Sequence, residues 1–436
     1  MKISPIPYFI SLLFLLLLGC NRAEEVIEES YQPRSEHEAY SLGLISSGLD
    51  HTRLGTLWLE QAQLALSNPT LIQTPYAANI YVSDTEAKGF GYQFDAIVGQ
   101  KVTITVEENT PQAGMVFIDL YRANTEGELE HLATADTLHN QIVFEPLANH
   151  TYAIRVQPEL LKKGRYRIEI KSDPSLVFPV SGRDKSAIGS LFGAPRDAGR
   201  RIHHGIDIFA RRHTPIVAPS DGIIRSISPN KLGGNVIWMR DDTRNQVLYF
   251  AHLEDVFVED GDYVSQGDTI GSVGNSGNAI TTSPHLHFGV YREGPVDPYN
   301  FVVTKRTRFK RELAKKDYVG QYLRTSHPSD MHLVNESNDQ KQLIEDQLLL
   351  VRGTTGMYYQ VELPDGTSGH ISYLDVELLS RPLRRRLAER SDLLDVPTEA
   401  ALVVTESSSL AEAKALALHG DYTLISIGEE YRWVKS

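Results

Sequence analysis

A single cysteine, Cys20, stands in the 436 residues, so the chain can close no internal disulfide, and a metal site in it is limited to His, Asp and Glu ligands. Positive charge is also short. The 43 Lys and Arg against 56 Asp and Glu leave a formal charge of -13, which argues against nucleic acid as a partner, because phosphate binding draws its affinity from clustered Lys and Arg. The local basic clusters, Arg200, Arg201, Arg211 and Arg212 and the KRTRFKRELAKK run from Lys305, read as solvated surface or linker helix. Hydrophobic residues at 41% and charged residues at 23% match neither a disordered chain nor a polytopic membrane protein. The length suggests two to four packed units.

The apolar run from Tyr8 to Leu18, preceded by Lys2, is too short to span a bilayer comfortably and suits the hydrophobic part of a secretion signal. It ends in Leu-Leu-Gly-Cys, which resembles the lipobox of bacterial lipoproteins. That resemblance implies cleavage of residues 1–19 and attachment of diacylglycerol to Cys20, making the chain membrane-bound through its N-terminal lipid. The alternative is a simple anchoring helix with an incidental cysteine. Asn21, where Asp would signal inner-membrane retention, implies by the same resemblance an outer-membrane protein facing the periplasm. Residues 20–34 are polar and acidic without apolar period, as expected of a tether.

Periodicity then divides the chain. Residues 35–69 carry Leu54, Leu57, Trp58 and Ala62 at helical steps, with Asn68-Pro69 as a stop, and predict a helical segment. Residues 70–174 alternate, as in Val102, Ile104 and Val106, then Tyr152, Ile154 and Val156, then Tyr166, Ile168 and Ile170, and predict an accessory β-sandwich. The two-proline segment SDPSLVFPVSGRD leads into a third unit over 180–303. A basic connector over 304–317 follows, and two short sheet-like units over 318–380 and 381–436 complete the chain. Both resemble bacterial SH3-type modules, the first through PDGTSGHI; that resemblance implies wall binding, against the simpler expectation of small barrels packing on the third unit. The fold class expected is mainly β and multidomain: an N-terminal helix plus β-sandwich, an antiparallel β-sheet domain, and C-terminal SH3-like small barrels.

The residues that carry chemistry lie in the third unit. RRIHHGIDIFA contains H-x-G-x-D, and in an extended segment His203 and Asp207 share a face while His204 and Ile206 take the other. In SPHLHF, His285 and His287 share one strand face, leaving Leu286 and Phe288 for burial. Two imidazoles side by side bring nothing to a core, since each buried ring needs its own partners, whereas a metal gives them a purpose. His252, in YFAHL, sits at the end of an expected strand. Asn-Ser-Gly-Asn after Gly274 reads as a tight turn, and Ser276 lacks any signature of a nucleophile.

Together these pieces closely resemble the LytM/lysostaphin-type zinc endopeptidases of family M23, whose signature is H-x-x-x-D, then a lone His, then H-x-H. The flanks GSLFGAPRDAGRRIHHGIDI, TPIVAPSDGII, VSQGDTIGSVGNSGN and PHLHFGVYREGPVDPYNF extend the match over about 120 residues. One departure is Gly289, where many relatives carry Glu, a change to the cleft wall and not to the metal. The resemblance implies one Zn2+ per chain on His203, Asp207 and His287, with a fourth position open for water. No HExxH occurs, so the glutamate base of that class is missing, and the resemblance assigns catalysis to His252 and His285, their division of roles left open. The activity implied is hydrolysis of peptide cross-links in bacterial peptidoglycan. The rival is a catalytically silent LytM-like lipoprotein that binds the wall and activates a separate amidase; a third reading is a wall-binding structural lipoprotein. The N-terminal helix and sandwich are a candidate cover for the groove.

Overall fold

The computed structural model describes residues 32–108, 114–124, 127–136, 138–196, 199–303, 317–333 and 339–436. The signal segment, Cys20, most of the tether and the connector over 304–316 lie outside these residues. The described chain is mainly β, built from several antiparallel sheets.

The expected single helical stretch is two helices, Glu36–Ser46 and Arg53–Ser67. They break at Gly48, whose φ of 69° lies in the left-handed region open to a residue without Cβ. Ser35 caps the first helix and Thr52 the second, each side chain accepting a backbone N–H of the first turn. Helical spacing turns Trp58 and Ala62 inward onto the sandwich. Trp58 Nε1 donates to Pro158 O at 2.9 Å, and Gln157 Nε2 donates back to Trp58 O at 2.9 Å. His37 stacks on Trp58 with ring centroids 4.5 Å apart and pairs with Gln157 Oε1 at 2.7 Å.

The alternating residues form the sandwich core as expected. Ile104, Ile168 and Ile170 face Ile118, Ile154 and Val156 across two sheets, all fully buried. One sheet has five strands: Thr70–Leu71, Phe90–Ala96, His150–Pro158, Val116–Ala123 and Leu129–Thr134. The other, with Tyr76–Val82, Gly164–Pro174, Gln100–Glu108 and Gln141–Phe144, does not stop at the sandwich. Its edge strand Tyr76–Val82 pairs with Leu348–Thr355, so the sheet runs on into the unit after residue 317. Arg352 reinforces the join, with paired contacts to Glu86 at 2.6 and 2.7 Å and a further one to Glu362. The last five strands, from Arg390 to Lys435, make a separate sheet.

In sequence, the third unit lies between the sandwich and the unit after residue 317 and has a sheet of its own. Ile188–Ser190, Ile206–Phe209, His285–Tyr291, Gln246–Val256, Asn235–Asp241, Gly222–Ile227 and Tyr263–Val264 lie side by side. Its entry and exit are adjacent, since Leu176 N donates to Phe301 O at 2.9 Å. Arg244 binds Glu145 of the sandwich with two bonds of 2.8 Å. That joint lies in the turn before the strand Gln246–Val256, eight residues ahead of His252 and roughly 25 Å of extended chain away. The helices contact the sandwich, and the sandwich reaches this sheet at the end remote from the histidines.

Burial holds the His37 ring to a pKa of about 4, against the usual 6.5, with Arg155 adding to the effect. A histidine depressed in the folded state binds its proton more readily in the unfolded chain. Its contribution is therefore full above pH 6.5 and is lost as pH falls toward 4, about 3 kcal/mol in all. Urea unfolding of the full chain, followed through a tryptophan signal assigned to Trp58 with a Trp58→Phe control, should show that loss, and a His37→Gln variant should show a flatter pH profile. Parallel profiles would contradict the assignment.

Candidate metal and catalytic site

Strand register brings the predicted residues together. Asp207 lies directly opposite His287 on the neighbouring strand, and His287 lies opposite Ala251 on its other side. His285 and His287 share one face of their strand, while Leu286, Phe288 and Val290 on the other are fully buried. His203 arrives by a different route from the one expected. The strand starts only at Ile206, so His203 lies in the chain leading into it, tied down by His203 N to Ala194 O at 2.9 Å and Gly193 N to His203 O at 2.8 Å. Gly205 lets this approach happen, because a Cβ there would stand 2.8 Å from both Cε1 and Nε2 of His287. His204, as expected, points away and is exposed.

Three atoms meet at the result. His203 Nε2 is 2.9 Å from Asp207 Oδ1 and 2.9 Å from His287 Nδ1, and the latter two are 3.0 Å apart. The other nitrogen of His203, Nδ1, faces Leu191 O at 2.8 Å; a carbonyl only accepts, so Nδ1 carries the proton and Nε2 presents a lone pair. Three lone-pair donors therefore share one small volume with at most one proton among them while the imidazoles are neutral. Such a set fits a divalent cation. Zinc bonds of about 2.0–2.2 Å place tetrahedral ligand atoms roughly 3.4 Å apart, a few tenths of an ångström wider than this triangle. Burial opposes ionisation of Asp207, but its contacts with His203 and His287 outweigh that and hold the carboxyl well below the usual range. Burial lowers the His287 pKa despite Asp207, which keeps the ring in the neutral, metal-binding form.

Arg196 is a part of the site that the sequence reading did not single out. Its Nη2 donates to Asp207 Oδ2 and to Ser190 Oγ, both at 2.7 Å. This leaves Oδ1 as the free ligand atom and restrains the carboxylate, as outer partners of metal ligands do. The signal was present as one cation in the GAPRDAG segment, but nothing in the sequence told it apart from Arg200 and Arg201.

His252 is not at a strand end but within Gln246–Val256, at a φ of 64°. Leu248 and Phe250 face the core, and so does Leu253, so the inward set passes from even to odd numbers across residues 251 and 252. The partner strand agrees: Phe250 opposes Ile237 and Leu253 opposes Asn235, three steps against two. This bulge turns the His252 ring to the cleft face, 5.0 Å from the His285 ring and 6.1 Å from that of His287. His252 Nδ1 donates to Ser276 O and His285 Nδ1 to Ser283 O, each at 2.9 Å, which leaves both Nε2 atoms as free bases. Burial, with His285 second, lowers the His252 pKa to about 4. Ser276 is occupied structurally: its hydroxyl donates to Leu253 O and accepts from Asn235 N.

Residues 201–298 match the profile of peptidase family M23. The chain carries an M23 peptidase domain. The L-Ala--D-Glu endopeptidase of Bacillus subtilis is 38% identical over 136 residues, covering 28% of this chain and 41% of that protein. The peptidoglycan DD-endopeptidase ShyC of Vibrio cholerae is 31% identical over 122 residues, covering 28% and 24%. A solved catalytic domain of lysostaphin from Staphylococcus simulans is 31% identical, covering 26% of this chain and 89% of that one, with a TM-score of 0.24. The chain thus spans 41% and 24% of the two curated relatives, and the likeness lies in and around the M23 domain.

The left-handed backbone at His252 costs about 1–3 kcal/mol in any residue with a Cβ. His252→Ala and His252→Gly both remove the imidazole, and only glycine relieves that cost. Denaturant unfolding should find His252→Gly more stable than His252→Ala by about 1 kcal/mol. The opposite order would show that the M23 domain does not hold this bulge.

Proposed function

We propose that the protein is a zinc metalloendopeptidase that hydrolyses peptide cross-links of bacterial peptidoglycan, attached to the outer membrane through a lipid on Cys20 and facing the periplasm. The observation that carries the catalytic part is the lone-pair triangle of His203, Asp207 and His287 with two further basic histidines beside it. His203 Nε2, Asp207 Oδ1 and His287 Nδ1 are the atoms that would hold zinc. Zinc held there would lower the pKa of a bound water toward neutrality and polarise the scissile carbonyl.

The remaining chemistry falls to this chain's own groups. Nε2 of His252 or His285 accepts the proton of the attacking water, because both rings already give their Nδ1 proton to a backbone carbonyl. The same nitrogen, once protonated, hands its proton to the departing amine. The second imidazole donates to the developing oxyanion when it is itself protonated. Burial holds the His252 ring neutral at physiological pH, so that Nε2 offers a lone pair before reaction. Arg196 holds the outer carboxylate oxygen throughout. The choice of peptidoglycan is supported by the activities of the Bacillus subtilis L-Ala--D-Glu endopeptidase and the Vibrio cholerae peptidoglycan DD-endopeptidase ShyC. A silent amidase activator has no use for this complete set of ligands and bases, and the set favours the enzyme.

Purified sacculi incubated with the soluble protein should release peptide fragments with newly freed amines, read by mass spectrometry. The His285→Ala variant should release them at least 100-fold more slowly, the scale of a lost acid–base group. Equal release by the variant would contradict the role of His285.

A further inference from the structure

The sheet face that carries the histidines continues beyond them. Register lays out successive rows: Phe209 beside His285, then Asp207, His287 and Ala251, then Gly289, Tyr249 and Trp238, then Tyr291, Val247 and Arg240. The reverse face is solid core, with Ile237, Met239, Leu248, Phe250, Phe288 and Val290 fully buried. Trp238, Tyr249 and Tyr291 are only half-buried and form a contiguous aromatic floor whose rings are tilted 37°, 56° and 87° to one another. The Tyr249 ring lies 5.8 Å from His287, Trp238 lies 4.2 Å from Tyr249, and Tyr291 lies 5.4 Å from Trp238.

Gly289 keeps the floor clear beside these rings. A Cβ there would stand 2.9 Å from Tyr291 Cε2 and 3.2 Å from His204 O. A Glu at this point, as many relatives carry, would bring a negative charge beside the rings of Tyr249 and Tyr291. Arg240, the cation of the outer row, is paired with Asp242 at 2.6 Å.

We propose that this floor is a saccharide subsite, which takes a neutral pyranose ring of the glycan that bears the scissile peptide. The axial C–H face of a pyranose is apolar and slightly positive, and it stacks on the electron-rich faces of Trp and Tyr. The ring hydroxyls remain at the edge, in water. Two residues separate successive rows on a strand, so the Trp238 row lies roughly 7 Å from the metal ligands and the Tyr291 row roughly 13 Å, the reach of a few extended residues between a sugar and a cut bond. The identity of the glycan rests on the peptidoglycan reading. The affinity of the floor for a sugar does not.

The test is binding without turnover. Ligand-observed NMR on the full zinc-loaded chain, with di-N-acetylchitobiose as a neutral disaccharide probe and a sugar-free stem tetrapeptide as control, measures both affinities. The disaccharide should bind, and Trp238→Ala and Tyr249→Ala should each weaken it about tenfold, with zinc content and circular dichroism unchanged. Gly289→Glu should weaken it too. Absence of disaccharide binding, equal binding by Trp238→Ala, or tetrapeptide binding that Trp238→Ala removes would each overturn the proposal. Sugar binding by a chain that releases nothing from sacculi would instead overturn the peptidase reading and leave the subsite standing.

Discussion

The lone pair on His203 Nε2 is the constraint from which the rest of the site follows. Its direction is set 2.8 Å away on the other side of the ring, where Leu191 O takes the Nδ1 proton. With that proton committed, Nε2 faces Asp207 Oδ1 and His287 Nδ1 at 2.9 Å each, a crowd of acceptors that a cation relieves. His252 and His285 follow the same rule: each gives Nδ1–H to a backbone carbonyl and turns Nε2 toward the cleft. His203 and both bases are therefore oriented by main-chain oxygens, which do not change when side chains are exchanged, while Asp207 is held by the Arg196 guanidinium. Rigid outer partners of this kind are what keep a metal site in working geometry.

The surrounding architecture serves the same end by keeping its distance. The sandwich and the unit after residue 317 share one sheet through Asn79, Ile80, Gly353 and Thr354, with Arg352 bridging Glu86 and Glu362 across the join. The M23 domain enters and leaves that scaffold at one place, Leu176 beside Phe301. Its anchoring ion pair, Arg244 with Glu145, lies at the end of the central strands remote from the histidines. Among the described residues, this anchoring lies at the opposite end of the sheet from His203, Asp207 and His287.

Much of this was legible in the residue order. Period-two alternation located the sandwich strands, and even spacing placed His285 beside His287 above buried Leu286 and Phe288. The same rule gave a sound grouping for His203 and Asp207 by an incomplete route, because the strand begins at Ile206 and Gly205 makes room by lacking a side chain. His252 shows where pattern reading stops: a one-residue bulge reverses which face a residue takes, and no local residue type announces it. Arg196 and the carbonyls of Leu191, Ser276 and Ser283 escaped for a related reason, since backbone oxygens carry no sequence label and one arginine among several has no distinguishing period. The continuity of the sandwich sheet with residues 348–355 is a contact of long sequence separation, invisible to any window. The helical segment was found in place, but its break at Gly48 needed the backbone angle.

X-ray absorption at the zinc edge of the metal-loaded chain tests the central claim most directly. The account predicts one zinc per chain with two imidazole nitrogens, one carboxylate oxygen and one water oxygen at about 2.0–2.2 Å, and loss of that signature in Asp207→Ala. A first shell without carboxylate, or an unchanged spectrum in Asp207→Ala, would contradict it.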